Sequence, residues 1–313
     1  MLFCALFSCI GALAVLCRGS GHPLLTLALP VLDAAPNIPQ PTPTAQLPLP
    51  LRVDIDAGVS DEVRIEVINA PQTPPAIDLS GNDPKILIYH THTTEAYTQT
   101  DNYRYEESGE WRTYENDKNI VAVGELLATL LREQYGFQVL HDTSDHEPPK
   151  LSTAYSRSVE TMKRYKEEYP SLTMFIDVHR DAGGENTAVT VDGKRVARLM
   201  FVVGTGEGAT GTGFGEMPDF ESNYALALAI TNKISERNSK LMRNIRVKTG
   251  RYNQHISNQC LLVEVGDNMN TLEEALNAIP YLAQAIAACA QEGISIPAPS
   301  PTPQPASGRL WAP

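Results

Sequence analysis

Cysteine is scarce in this chain, and its spacing suits no familiar metal chemistry. Five are present. Cys4, Cys9 and Cys17 sit in an apolar N-terminal run, and Cys260 and Cys289 sit in the body. No CxxC pair occurs, which argues against a thiolate zinc site. Cys260 and Cys289 are left as either a disulfide or two buried thiols. Positive charge is also short. A formal net charge of −12 leaves no basic face to neutralise phosphates, so a nucleic-acid partner is not expected. The same charge provides no general attraction to anionic lipid or anionic polymer, so an anionic substrate must be held by local contacts. The Gly-rich stretch from Gly204 to Gly215 lacks the spacing and the Lys of a phosphate loop, and it reads as a loop.

Long apolar runs are nearly absent too. The exception is Leu2 to Cys17, followed by Arg18. A membrane-spanning helix needs roughly 20 apolar residues, so this run is at the short edge. No Lys or Arg precedes it. It reads as an export signal retained as an anchor over residues 1–18, with cleavage near Ala34-Ala35 as the alternative. The triplet before Cys17 is a poor lipobox. Proline is abundant, at 23 residues, and concentrates toward the two ends. Residues 19–50 form a Pro-rich linker, and 295–313 a Pro-rich tail without a packed core. One folded unit is expected over 51–294. Its 42% apolar and 20% charged content over the full chain is ordinary for a globular protein.

Inside that unit, strand and helix patterns alternate after a short strand-like stretch at Val63 to Ile68. Lys85 to Tyr89 (KILIY) reads as a buried strand. Ile120 to Tyr135 has apolar residues at helical spacing, with Gly136 as its stop. Gln138 to Leu140 is a short strand, Ala154 to Glu168 a helix before Pro170, and Leu172 to Val178 a buried strand. Ala188 to Val203 reads as a hairpin turning at Asp192-Gly193. Tyr224 to Leu241 is a helix, Cys260 to Val265 a strand, and Leu272 to Ala290 the last helix. This order predicts an α/β fold, a mostly parallel twisted sheet flanked by helices. Ligands then belong at the carboxyl ends of the strands.

Three strand ends carry candidate chemistry. KILIY runs into His90-Thr91-His92, MFIDV into His179-Arg180-Asp181, and CLLVEV holds Glu264. Zinc takes imidazole nitrogen and carboxylate oxygen, keeps a position for water, and lowers that water's pKa to about 7. A further carboxylate then serves as general base. Glu264 interrupts an otherwise apolar strand, and a buried carboxylate is costly unless paired or working. Its alternative role is a salt bridge. A lone His at a strand end is more often a hydrogen-bonded structural group than a ligand; the HxH pair beside acids shifts that balance.

The stretches ILIYHTHTTEAY, DKNIVAVG, HDTS, YSRS, FIDVHRDA, GRYNQH and LLVEVGDNMNT occur in the order seen in the stage II sporulation protein P family, which this chain resembles from about Lys85 to Ala290. The resemblance implies a zinc-dependent N-acetylmuramoyl-L-alanine amidase acting on peptidoglycan in septal thinning during engulfment. It also implies an associated endopeptidase activity and a partner like stage II sporulation protein D. A wider resemblance to general zinc amidases implies ligands and a base for a single zinc amidase-like domain. It places the second His ligand on His179, the catalytic Glu on Glu264, and the Glu ligand on Glu115, just before the first helix, with Glu95 as its rival. The general amidases have one His where this chain has His90 and His92. With a strand period of two both would face one side, and His90 is the favoured ligand. His141 reads as supporting or structural. His255 is either a substrate contact or transition-state donor, or a loop-stabilising group. Arg180 pairs with a substrate carboxylate or with Asp177 or Asp181. Two rival readings are a metal-dependent endopeptidase acting only on the peptide stems and a catalytically inactive wall-binding scaffold.

Overall fold

The first strand, β1 (Ile86–Tyr89), is wholly buried and lies inside the sheet of this computed structural model. The structure describes residues 77–208 and 215–291. The expected anchor, linker, Val63–Ile68 strand and C-terminal tail lie outside the described residues. No described helix is long and apolar enough to cross a membrane.

After β1 come α1 (Ile120–Glu133), β2 (Val139–His141), α2 (Ala154–Glu168), β3 (Met174–Asp181), β4 (Val189–Val191), β5 (Lys194–Val196), β6 (Leu199–Gly204), α3 (Phe220–Arg237), β7 (Arg246–Lys248), β8 (Cys260–Asp267) and α4 (Leu272–Gln291). Six strands make one sheet in the order β2-β1-β3-β8-β6-β7. The first four are mutually parallel; β6 runs antiparallel to β8, and β7 parallel to β6. The α/β fold with a mostly parallel sheet flanked by helices is therefore what the chain adopts. The described residues all fall within one compact unit.

The sheet buries both faces, as parallel sheets must. On one face Ile86, Ile88, Met174, Ile176, Val178, Leu261 and Val263 pack with apolar residues of α1, α3 and α4. On the other, Leu87, Tyr89, Phe175 and Cys260 pack with Val159 and Met162 of α2 and with Ile256. Each such side chain contributes about 1.5–3 kcal/mol when fully buried. Alternation along the strands thus assigns every residue to one of two layers. Cys260 and Cys289 sit in different layers and form no disulfide with each other, so the disulfide alternative is set aside.

Local chemistry sets the ends of α1. The Asn119 side chain caps it by accepting a hydrogen bond from Val121 N at 2.9 Å. Gly136, at φ +75°, closes it with Phe137, whose N–H reaches Leu131 O. The chain departs from the expected elements at three places. The predicted hairpin is only β4 and β5, turning at Asp192-Gly193. The residues after it leave as β6, because Leu199 to Val203 are apolar without interruption and pair with β8 in the core. The edge strand β7 was not expected; three residues are too few for a period to register. Helix α3 begins at Phe220, earlier than the apolar pattern indicates. The Asp219 side chain caps it by accepting from Ser222 N at 3.1 Å.

Candidate active site

The register of β3 against β8 sets His179 directly beside Glu264. Both point into the layer that holds Phe175, Leu262 and α2. Opposite them the chain leaves β1 at Tyr89 and turns. Asp177 anchors the turn by accepting from Thr91 N at 2.8 Å and from Thr91 Oγ1 at 2.6 Å. A bend over 92–95 then brings His92 and Glu95 to His179. The His92 and His179 rings lie 5.5 Å apart, nearly perpendicular, and Glu95 Oε2 is 3.5 Å from His179 Nδ1. His179 Nε2 is 2.9 Å from Asp177 Oδ1, but off line for a hydrogen bond.

Each imidazole has a carboxylate beside it. Asp177 serves His179, and Glu147 serves His92, with Oε1 at 3.5 Å from Nδ1. Glu147 is itself held by Arg112 Nη1 at 2.6 Å and by Thr94 Oγ1 at 2.5 Å. Such outer carboxylates orient metal-binding histidines. The Tyr155 ring lies almost parallel to His179, with centroids 6.4 Å apart, and edge-on to His92 at 5.8 Å. Tyr252 closes the wall against Tyr155. Neither Glu147 nor Tyr155 was singled out from the sequence. Both lie in loop or helix contexts where a Glu or Tyr carries no local signal.

The electrostatics are those of a crowded, dry site. Burial pushes the Glu264 carboxyl up to about 8; Glu95 and Asp181 add to the rise, against His179 and Arg180. Burial also works to raise Glu95, but His179, Arg180 and His92 outweigh it and bring it to about 2. Burial opposes charge on His179, yet Asp177 and Glu95 prevail and hold the imidazolium well above its usual range. Two carboxylates around one imidazole thus demand a positive charge between them.

Glu264 Oε2 is buried in this cluster without a hydrogen-bond partner, while the ring nitrogens His92 Nδ1 and His179 Nε2 face the carboxylates of Glu147 and Asp177. Native folds leave few such atoms, so an open Glu264 Oε2 beside two imidazoles, each backed by a carboxylate, suits a site that takes a ligand. The donor set suits zinc. Four-coordinate bonds of about 2.0–2.1 Å place neighbouring donors roughly 3.3 Å apart, close to the Glu95–His179 separation. Among the described residues no three His, Cys, Asp or Glu side chains are already gathered tightly enough to hold an ion. His92, Glu95 and His179 are nonetheless neighbours at the strand edge that carries Glu264.

The structure does not bring the other expected residues to this cluster. His90 faces the opposite layer, where Nδ1 donates to Val178 O at 3.0 Å and Nε2 meets His141 Nε2 at 2.9 Å. Burial and His141 lower its pKa to about 3. It packs so closely on α1 that a Cβ on Gly124 would lie 2.5 Å from its ring. His141 in turn meets Glu125 at 2.8 Å, a structural role. Glu115 is exposed, and its Oε1 accepts from Glu106 N at 2.6 Å. Glu95 takes the position next to the helix start, through Ile120 N to Glu95 O at 2.8 Å. Arg180 is buried and donates to Ala96 O and Trp111 O at 2.9 and 3.0 Å, which ties it to the loop carrying Glu95. His255 is half-buried among Arg251, Lys163 and Lys166; burial and these cations lower its pKa to about 4.

The fold and site define an α/β protein with a His/Glu cluster at the carboxyl edge of a mostly parallel sheet. Residues 53–287 match the family described as Stage II sporulation protein P (SpoIIP), and the chain belongs to it. A stage II sporulation protein P of Bacillus subtilis (strain 168) is 26% identical over 260 residues, covering 77% of this chain. The chain spans 60% of that relative's length. Solved structures that resemble it include the N-acetylmuramoyl-L-alanine amidase AmiC2 of Nostoc punctiforme, with TM-score 0.41, 17% identity, and coverage of 68% of this chain and 98% of that one. An N-acetylmuramoyl-L-alanine amidase from Clostridium difficile 630 has TM-score 0.39 and 18% identity, over 68% and 97% of the two chains. At these TM-scores the overlaps are partial, and the strand order stands on the chain's own hydrogen bonding.

Proposed function

We propose that this protein is a zinc-dependent peptidoglycan hydrolase that cleaves the lactyl–L-alanine amide during sporulation. The observation that carries the reading is the convergence of His92, Glu95 and His179 beside Glu264, whose buried Oε2 has no partner. Zinc bound by His92, Glu95 and His179 would polarise the amide carbonyl and a water, and its charge would favour the ionised form of Glu264.

The residues then divide the work. Glu264 accepts the water's proton on Oε2 and delivers it to the leaving nitrogen, so water and amide become carboxylic acid and amine. Asp177 and Glu147 orient the two imidazoles. Tyr155 keeps both rings in place by stacking on one and meeting the edge of the other. Arg180 positions Glu95, through its own backbone N–H to Oε2 at 3.1 Å and its side chain on the loop carbonyls.

The test is metal analysis of the purified full-length protein together with product analysis on peptidoglycan. One zinc per chain and newly exposed L-alanine amino termini are expected. Full activity in chelator, or products that are only cleaved crosslinks, would overturn the metal or the bond assignment. A membrane tether on the N-terminal run and a stage II sporulation protein D-like partner belong to the same reading. Full-length protein recovered in the soluble fraction would refute the tether, and failure to co-purify with the sporulation protein D counterpart would refute the partner.

A further inference from the structure

Beyond His179, the same carboxyl edge opens into a cleft of about 720 Å³ that the hydrolytic chemistry does not use. Arg198, Arg243, Arg246 and Lys248 line it, against the acids Asp181, Glu185 and Asp267. Two of these acids are largely committed. Asp267 Oδ2 accepts from Gly183 N at 2.6 Å, and its Oδ1 from Gly184, Glu185 and Met269 N at 3.1–3.2 Å. Asp181 Oδ1 accepts from Ala182 N, and its single Oδ2 faces both Arg243 Nη1 at 2.8 Å and Arg246 Nη1 at 3.5 Å.

Arg198 is the least satisfied of the cations. Its Nη2 donates to Met242 O at 2.8 Å, while its Nε is buried without a partner. Burial and the neighbouring Arg243 both work against its charge. A chain of net charge −12 has gathered guanidinium groups here and left a buried donor open. The cleft and the reacting centre share the β3 end: Asp181, on the cleft wall, follows His179 by two positions, and its charge is among those that raise Glu264.

We propose that this cleft is a substrate subsite that receives the free carboxylates of a peptide stem whose amide lies at the Glu264 centre. The proposal rests on the hydrolase reading above for its substrate. Carboxylates fit better than phosphate because two separated single charges can each meet a guanidinium, whereas phosphate would concentrate its charge beside Asp181. Planar guanidinium groups pair with carboxylates through two parallel hydrogen bonds.

The experiment is calorimetric titration of the full-length protein with L-alanyl-γ-D-glutamyl-L-lysine and with its bis-amide, which lacks the two free carboxylates. Binding without turnover is read, so the result is independent of amidase activity. Loss of a charge-assisted hydrogen bond predicts about tenfold weaker binding of the diacid for Arg198→Gln and for Arg243→Gln, at unchanged melting temperature for Arg198→Gln. The bis-amide is expected to bind wild type no better than the diacid binds the variants. Equal binding of diacid and bis-amide, or no effect of Arg198→Gln, overturns the proposal. Displacement of the tripeptide by inorganic phosphate at equal concentration would overturn it in favour of a general anion site. A protein that binds the tripeptide here but cleaves no amide would refute the hydrolase reading and leave the subsite standing. An active amidase indifferent to both substitutions would do the reverse.

Discussion

Replacing Glu264 with Gln separates catalysis from stability in one variant. The side chain lies in β8 with Oε2 buried and unpartnered, so no ion pair of this oxygen is broken by the change. Its carboxyl is raised to about 8 in the folded, metal-free protein, against an ordinary 4.5. The folded state therefore holds a proton that the unfolded chain has released between those values. Stability from this group is full below 4.5 and declines by about 1.4 kcal/mol per pH unit until the folded carboxyl ionises near 8. Glutamine never ionises, so chelator-treated Glu264→Gln should outlast wild type by a few kcal/mol at pH 8, on the order of that slope summed over the window. At acid pH the two should melt alike. The amide cannot take a proton from water at neutral pH, so turnover should fall by about 10²- to 10⁴-fold. The assay is thermal unfolding of both proteins with and without chelator from pH 4 to 9, beside zinc content and amidase rate. A Gln variant that melts lower than wild type by about 3–5 kcal/mol would mean a buried ion pair had been broken. One that keeps near wild-type turnover would mean the base lies elsewhere.

Other consequences follow from the same geometry. Glu95→Gln should lower zinc content and activity at least tenfold, whereas Glu115→Gln, on an exposed loop, should leave both within twofold; the reverse pattern would restore Glu115 as the ligand. Gly124→Ala drives a methyl into the His90 ring and should cost about 1–3 kcal/mol by chemical denaturation, while Gly136→Ala probes only the helix end. Arg180→Lys cannot serve both loop carbonyls, so metal content should fall with no change in the affinity for stem peptide; a rise in KM alone would make Arg180 a substrate contact.

Local patterns in the sequence determined much of this molecule. The short continuous apolar runs KILIY, MFIDV and CLLVEV, and the helical spacing of apolar residues in α1, sufficed to name most of the elements and the mostly parallel sheet. They also placed His179 and Glu264 near strand ends on one edge of the sheet; the pairing of β3 with β8 makes those ends neighbours. What local pattern could not decide was anything that depends on where the chain goes after a strand stops. His90 and His92 would share a face only if β1 continued. It ends at Tyr89, Asp177 from a strand 86 residues away captures Thr91, and the turn sends His92 to one layer and leaves His90 in the other. Glu115 is close to the start of α1 in sequence; Glu95 is close to it in space, joined by a backbone hydrogen bond across the loop. Arg180 donates to two distant carbonyls. A single stretch of chain specifies side-chain alternation through its own stereochemistry, but the competition among long-range hydrogen-bond partners is settled only when the whole sheet assembles.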